Sequence, residues 1–163
     1  VVVREFGDVR CAALSRHLID VPAGEVDEEI HRIFRPLRRN AGMSYGEFEK
    51  IIRIITTDHF GPVKTEISLT GALDKLDRLD DATDELVAGD LHELMRTHES
   101  MNIHQVAKIS ARAALARKES RFSPYHYRAD YPDTDEAYCG LIVIGKSPSG
   151  EVSTRLQPLS YDA

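Results

Sequence analysis

Residues 117–132 read RKESRFSPYHYRADYP and gather the densest set of chemically capable side chains in the protein. Arg117, Lys118, Arg121 and Arg128 stand against Glu119 and Asp130, with Tyr125, His126, Tyr127 and Tyr131 threaded among them and Pro124 and Pro132 fencing the run. Three readings suit these residue types. The planar fork of arginine grips a carboxylate through two N–H donors, so the stretch can close into ion pairs. His126 with Asp130 is the composition of a general base and the carboxylate that orients it. The same charges also fit a solvated surface. Alternation along Tyr125-His126-Tyr127-Arg128 places the tyrosines on one side of an extended segment and His126 and Arg128 on the other. That arrangement is best used between two surfaces, with rings packed one way and charges paired the other. Glu119, Arg121, His126, Arg128 and Asp130 are therefore expected to form a charge-paired clamp at an interface, and no residue is assigned to catalysis.

Other chemistries find less support. His92, His98 and His104 are six residues apart, whereas a zinc pair on one helix needs ligands three or four apart to share a face. Arg96 stands where the second histidine of an HExxH motif would be, so these three are expected to be surface histidines, and no metal site is expected. No GxGxxG, Walker or GxSxG pattern occurs. The acidic run DKLDRLDDATDE lacks the Gly and Glu positions of a calcium loop and reads as a solvated helix face. Cys11 and Cys139 stand alone, without CxxC spacing, and are expected to be buried or free thiols, not a disulfide, as a reducing cytoplasm would keep them.

The elements that must position these groups are mostly helical. Residues 25–40 carry Val26, Ile30, Ile33 and Leu37 at helical spacing, with acids first and arginines last as the helix dipole favours. Pro36 should kink or shorten that helix. Residues 44–60 form the clearest helix: Ser44 and Glu47 make a capping box, Phe48, Ile51, Ile52 and Ile55 make one apolar stripe, and Gly61-Pro62 ends it. Residues 65–86 run Leu69, Leu73 and Leu76 along a face, with a bend beyond Asp80. Asp90 can cap 91–100, and 102–120 should turn Ile103, Val106, Ile109, Ala113 and Ala116 inward, its alanines allowing close helix packing. Phe48, Ile52, Leu73, Leu76, Val106 and Ile109 are the expected core. Residues 137–159 carry an apolar run, Leu141 to Ile144, then a turn at Pro148-Ser149-Gly150 and EVSTRL, which signals a hairpin near 139–157. A lone hairpin is marginal, so it should lie against the helices or extend a sheet supplied from elsewhere.

The expected fold is thus mainly α: a small antiparallel helical bundle followed by a C-terminal β-hairpin and extended segment. Residues 25–120 form the bundle, and 121–163 form the charged, aromatic segment and hairpin of the same domain. Residues 1–24 are unassigned apart from a short helix over 11–19. At 163 residues the chain is expected to be one domain. Its net charge of −6 disfavours nucleic acid as a partner. No apolar run is long enough to enter a membrane. The start, VVVREFGDVR, is charged too early for a signal peptide and has no Met, as a fragment would.

The stretch ALARKESRFSPYHYRADYPDTDEAY resembles the closing signature of the C-terminal domain in the succinate dehydrogenase/fumarate reductase flavoprotein family, which includes adenylylsulfate reductase α subunits and L-aspartate oxidases. There a helix ending in R-x-ESR leads into an extended H-x-R-x-D-x-P segment. Arg117, Glu119, Ser120, Arg121, His126, Arg128, Asp130 and Pro132 match it. YGEFEKIIRII, LTGALDKLDRL and ELMRTHESMNIHQVAKISARAAL fit the upstream pattern, so the resemblance spans roughly residues 25–158. The chain departs from it at Phe122, where many members have Gly, in the longer FSPY step, at Tyr138 in place of Trp, and at Asp133-Thr134-Asp135. These departures lean toward the adenylylsulfate-reductase-like branch.

The resemblance implies the helical C-terminal domain of an FAD-dependent oxidoreductase, serving subunit architecture and docking. The FAD would belong to the parent enzyme and not be bound by this chain alone. The family's flavin-binding, substrate-binding and proton-delivering residues sit in regions this sequence does not contain, and none is carried over. Implied partners are the FAD-binding portion of the same flavoprotein and an iron–sulfur subunit carrying clusters. The implied location is the cytoplasm, or the inner face of a membrane through a partner. Two alternatives stand beside it: a free-standing interaction module derived from such a flavoprotein, and an unrelated helical enzyme using His126 and Asp130.

Overall fold

The structure, a computed structural model, describes residues 22–159. Cys11 and the short helix expected over 11–19 lie outside the described residues. The described residues divide into two units, one up to Arg35 and the other from Pro36 onward.

In the first unit, helix α1 spans Ala23–Phe34, with Glu25 in its first turn and His31 and Arg32 in its last. Val26, Ile30 and Phe34 form its apolar side and are all exposed. The helix ends at Phe34, and Arg35–Arg38 continue as a 3-10 turn through Pro36, whose ring offers no N–H to the α-helical ladder.

The second unit is a helical body with a C-terminal hairpin. Strand β1 (Met43–Ser44) leads into α2 (Tyr45–His59), where the capping box of Ser44 and Glu47 is made in both directions. Beyond β2 (Val63–Lys64), Thr65 and Ser68 form a second capping box that opens α3 (Glu66–Arg78). The bend anticipated beyond Asp80 comes at Leu79, after which α4 (Asp80–Thr83) and β3 (Leu86–Val87) follow. Asp90 caps α5, a single helix over Leu91–Ala116, by accepting from the amide of Glu93. Phe48, Ile52 and Ile55 of α2, Ala72 and Leu76 of α3, and Leu86 form the core, with Met101 and Ala107 of α5 against it.

The buried side of α5 differs from the apolar stripe expected for it. Val106 is 61% exposed and Ile109 48%, and Ile103 is exposed too, so these three are not core residues. Leu73 is only partly buried, and Ala111 and Ala114, not Ala113 and Ala116, face inward. Thr97, Ser100, His104 and Lys108 are buried instead. Each has a partner within the fold, which offsets the penalty of burying it, although the Nδ1 of His104 is left without a hydrogen bond, 3.8 Å from Asp80. Thr97 Oγ1 donates to the carbonyl of Glu93 and Ser100 Oγ to that of Thr97, both at 2.8 Å. His104, expected at the surface, has no exposure; its Nε2 meets the carbonyl of Leu76 at 2.8 Å and its ring meets Phe48 edge-on. Lys108 Nζ reaches Asp77 at 2.8 Å and Asp80 at 2.5 Å. Small or helix-bonded polar groups let α5 approach α2 and α3 closely, and branched aliphatics at those positions would hold them apart.

Two short parallel pairings had no signal in the sequence. β1 pairs with β3, Met43 opposite Leu86, and β2 pairs with β4 (Tyr127–Arg128), Lys64 opposite Arg128. The expected hairpin is present as β5 (Gly140–Lys146) and β6 (Val152–Pro158), antiparallel, with Ile142 opposite Leu156, and β5 rests on α5. The mainly α bundle with a C-terminal strand pair is therefore the architecture of this unit. Among the described residues no helix is long and apolar enough to cross a membrane.

Candidate functional site

α5 ends at Ala116, and Arg117 turns the backbone extended. From there the chain wraps the end of the helix in two ionic knots. The first centres on Glu119, whose side chain has no solvent exposure. Its Oε1 accepts from Arg117 Nη1 at 2.5 Å and from Arg121 Nε at 2.9 Å. Its Oε2 accepts from Arg121 Nη2 at 3.1 Å and from the amide of Asp135 at 2.9 Å. Burial pushes the Glu119 carboxyl up, but Arg121, the Asp135 amide and Arg117 together outweigh it and hold the pKa at about 2. Arg117 also donates to the carbonyls of Tyr138 at 2.9 Å and Gly140 at 2.7 Å, which fastens the start of the hairpin to the end of α5.

The second knot is Arg128 with Asp130. Arg128 is fully buried and grips Asp130 bidentately, Nε to Oδ1 and Nη2 to Oδ2, both at 2.8 Å. Its Nη1 donates to the carbonyls of Ala114 at 2.8 Å, Arg117 at 3.1 Å and Leu115 at 3.2 Å, groups that the end of α5 would otherwise leave unpaired. Asp130 in turn accepts from the amide of Glu66, at the start of α3, at 2.7 Å. Its hydrogen bonds from Arg128, more than burial opposes them, lower its pKa to about 2. Ser120 locks the two knots together: its Oγ accepts from the Arg128 amide and donates to the carbonyl of Tyr131, each at 2.8 Å. Tyr131 stacks on the Arg128 guanidinium, 5.1 Å from its ring centre.

Between the knots, residues 121–126 make a tight turn closed by the Arg121 amide on the carbonyl of His126 at 2.9 Å. Phe122 sits in it with φ 53, the left-handed region that a side chain disfavours. The rings of Phe122 and Tyr125 project outward, 79% and 85% exposed. Tyr125 and Tyr127 are therefore not packed together on one side as the alternation suggested, because a turn, not a strand, carries residues 121–126.

The pairing of β2 with β4 brings Lys64 beside this turn. Lys64 is 6% exposed, and its ammonium has only the carbonyls of Pro62 at 3.3 Å and Tyr125 at 3.4 Å as hydrogen-bond partners. Burial lowers its pKa. His126 hydrogen-bonds the Arg117 backbone, while its Nε2 is buried without a partner. Burial first, then the charge of Lys64, pushes the imidazole toward its neutral form. Both residues line a cavity of about 990 Å³ that opens between the end of α5, the Phe60–Lys64 segment, the 121–126 turn and β5.

The five residues expected to act together thus divide. Glu119 and Arg121 share one knot, Arg128 and Asp130 the other, and His126 belongs to neither. Asp130 is committed to Arg128 and Glu66, so it does not orient His126, and the general-base reading of that pair fails on geometry. Among the described residues no group of three or more His, Cys, Asp or Glu is placed to hold a metal ion. Two contributors went unassigned from sequence: Arg117, visible in the R-x-ESR run, and Lys64, which nothing local distinguishes.

Comparison with known proteins bears on the same region. The family model described as fumarate reductase flavoprotein C-term matches residues 49–162. An uncharacterized FAD-dependent oxidoreductase of Methanocaldococcus jannaschii is 29% identical over 121 residues, covering 74% of this chain and 22% of that protein. An L-aspartate oxidase of Yersinia pestis is 32% identical over 125 residues, 77% of this chain and 21% of that protein. The chain therefore spans about a fifth of the length of these curated relatives. In fold it is similar to adenylylsulfate reductase of Archaeoglobus fulgidus, with a TM-score of 0.83 at 23% identity over 94% of this chain and 27% of that one. It is also similar to the E. coli quinol fumarate reductase, with a TM-score of 0.74 at 18% identity over 85% of this chain and 25% of that one.

Proposed function

The chain belongs to the fumarate reductase flavoprotein C-terminal family, and from that premise we propose that it is the helical C-terminal domain of an FAD-dependent oxidoreductase, serving the architecture and docking of the flavoprotein and not its chemistry. The observation that carries this reading is the inward commitment of the charged stretch. Glu119 and Arg128 are wholly buried, and their hydrogen bonds, with those of Asp130, go to helix ends, loop amides and each other. Groups so satisfied fix a shape; a general acid or base needs a free lone pair or proton to offer a substrate. The described residues carry no glycine-rich turn opening a helix, the feature that would cradle the FAD pyrophosphate, so the flavin is assigned to the remainder of the parent protein.

In this role the two knots, Glu119 with Arg121 and Arg128 with Asp130, brace the segment that faces the FAD-binding portion, with His126 beside them. Electrons would pass between substrate, flavin and an iron–sulfur partner subunit outside this domain. The location that suits such an enzyme is the cytoplasm or the inner membrane face.

The test is Arg121→Ala in the full-length protein. Loss of one of the two guanidinium groups on Glu119 should lower the yield of assembled, FAD-loaded protein, while turnover per bound flavin stays within a few-fold of the parent. A thousand-fold loss of turnover per flavin, about 4 kcal/mol of barrier, would make the stretch a catalytic element and end the architectural reading.

A further inference from the structure

We propose that the cavity beside the 121–126 turn is a socket that receives a carboxylate-bearing, otherwise apolar segment of the FAD-binding portion, with Lys64 and His126 at its floor and Phe122 and Tyr125 at its rim. The inference rests on the flavoprotein reading above and names the chemistry of the docking surface.

The floor comes first. Lys64 is the buried cation of the region that no carboxylate balances. Arg117 and Arg121 share Glu119, and Arg128 is matched by Asp130. No carboxylate of the described residues pairs with Lys64, whose ammonium is nonetheless buried on two backbone carbonyls and the Phe60 ring, 5.6 Å from its centre. A buried ammonium without a counter-charge is a standing cost, removed when a carboxylate arrives. His126 Nε2, also buried and unpartnered, lies at the same floor. Buried polar atoms are nearly always bonded, and of the two bare side-chain atoms among the described residues His104 Nδ1 faces Asp80 at 3.8 Å, whereas His126 belongs to the lining of the open cavity, where a partner can enter. A carboxylate beside Lys64 supplies the negative charge that lets His126 keep a second proton and donate from Nε2.

The rim points the same way by a different route. Phe122 holds a strained left-handed backbone and still presents its ring to solvent, with Tyr125 doing likewise three residues on. Strain of that kind persists where the surroundings or a binding event require it. Around the floor the walls are largely apolar, with Phe60, Leu141 and Ile142 among them. A small free anion would leave such walls and both rings wet. A peptide segment with apolar side chains and one acidic tip covers the rings and meets the cations together, and the relatives carry about four-fifths of their length outside the matched region to supply it.

The experiment uses the full-length, FAD-loaded protein and hydroxyl-radical footprinting read by mass spectrometry. Phe122 and Tyr125 should oxidise on the order of ten-fold more slowly than rings of their exposure in this domain would, as docked surface does, while Ile67, 87% exposed here, serves as the reference. Lys64→Glu should restore their oxidation with the far-ultraviolet circular dichroism unchanged. If Lys64→Glu does not fold, Lys64→Met removes the charge at similar volume and should restore it in part. Rings that oxidise freely in the flavin-loaded parent protein would overturn the socket while leaving the flavoprotein reading intact. Shielding that develops only when inorganic phosphate is added would assign the cavity to a free anion and overturn it too. A full-length protein without bound flavin would take down both readings.

Discussion

Phe122 shows how much a single residue can disclose. The flavoprotein resemblance expects glycine at this place, and the backbone there is left-handed at φ 53, the conformation glycine adopts without a Cβ clash. The chain therefore keeps the turn and accepts the strain of a ring. Phe122→Gly should stabilise the domain by about 0.5–1 kcal/mol, the relief of the left-handed penalty less the extra freedom glycine has when unfolded. A higher urea midpoint would show it, and a lower one would mean that the exposed ring packs more than its surface suggests. Glu119 makes the second residue-scale prediction. Its pKa falls from an ordinary 4.5 to about 2 on folding, so the folded state holds the proton less tightly than the unfolded chain. The stabilisation is complete above about pH 4.5 and is lost as the pH falls toward 2, with Asp130 acting in the same sense. Acid titration monitored by circular dichroism should show unfolding in that window, and Glu119→Gln should be less stable at neutral pH but flatter between about pH 5 and pH 3.

At the scale of elements, α2 was legible and α5 was not, for one reason. The helix-opening capping box at Ser44 and the stripe of Phe48, Ile52 and Ile55 are local signals, complete within one element, and the structure has all of them. The inward face of α5 is decided by what it meets. Opposite stand the carbonyl of Leu76 and the carboxylates of Asp77 and Asp80, so His104 and Lys108 turn in and Val106 and Ile109 turn out. Hydrophobic periodicity has no means of seeing an acceptor on another helix. The contrast is measurable: Ile52→Ala should cost about 2–5 kcal/mol as a buried truncation, whereas Val106→Ala should stay within about 0.5 kcal/mol as a surface change. Similar losses for both, by chemical denaturation, would mean that Val106 is covered by another part of the molecule. The hairpin was legible from its apolar run and its turn, but the parallel bridges that place Lys64 against Arg128 were not, since a two-residue strand carries no period to read.

Across the whole molecule the family could be recognised because its marks are ordered along the chain, the R-x-ESR run, then His126, Arg128, Asp130 and Pro132, and such an order survives when pairwise identity falls to 29–32%. What each mark does was less accessible, because Arg128 and Asp130 act on helix ends far from them in sequence. Arg128 covers the carbonyls that finish α5, and its partner Asp130 covers the amide that begins α3. Helix ends ordinarily fray one at a time, with little effect on the rest of a fold. Here neither end opens without withdrawing half of an ion pair from the other, so the last turn of α5 and the first turn of α3 melt as one cooperative unit. The shared pair also depends on a distant contact: it joins the two helix ends only with β4 seated on β2, which closes a long loop of the chain. Two helix ends that look independent thus depend on one long-range contact, and losing β4 from β2 would release both at once.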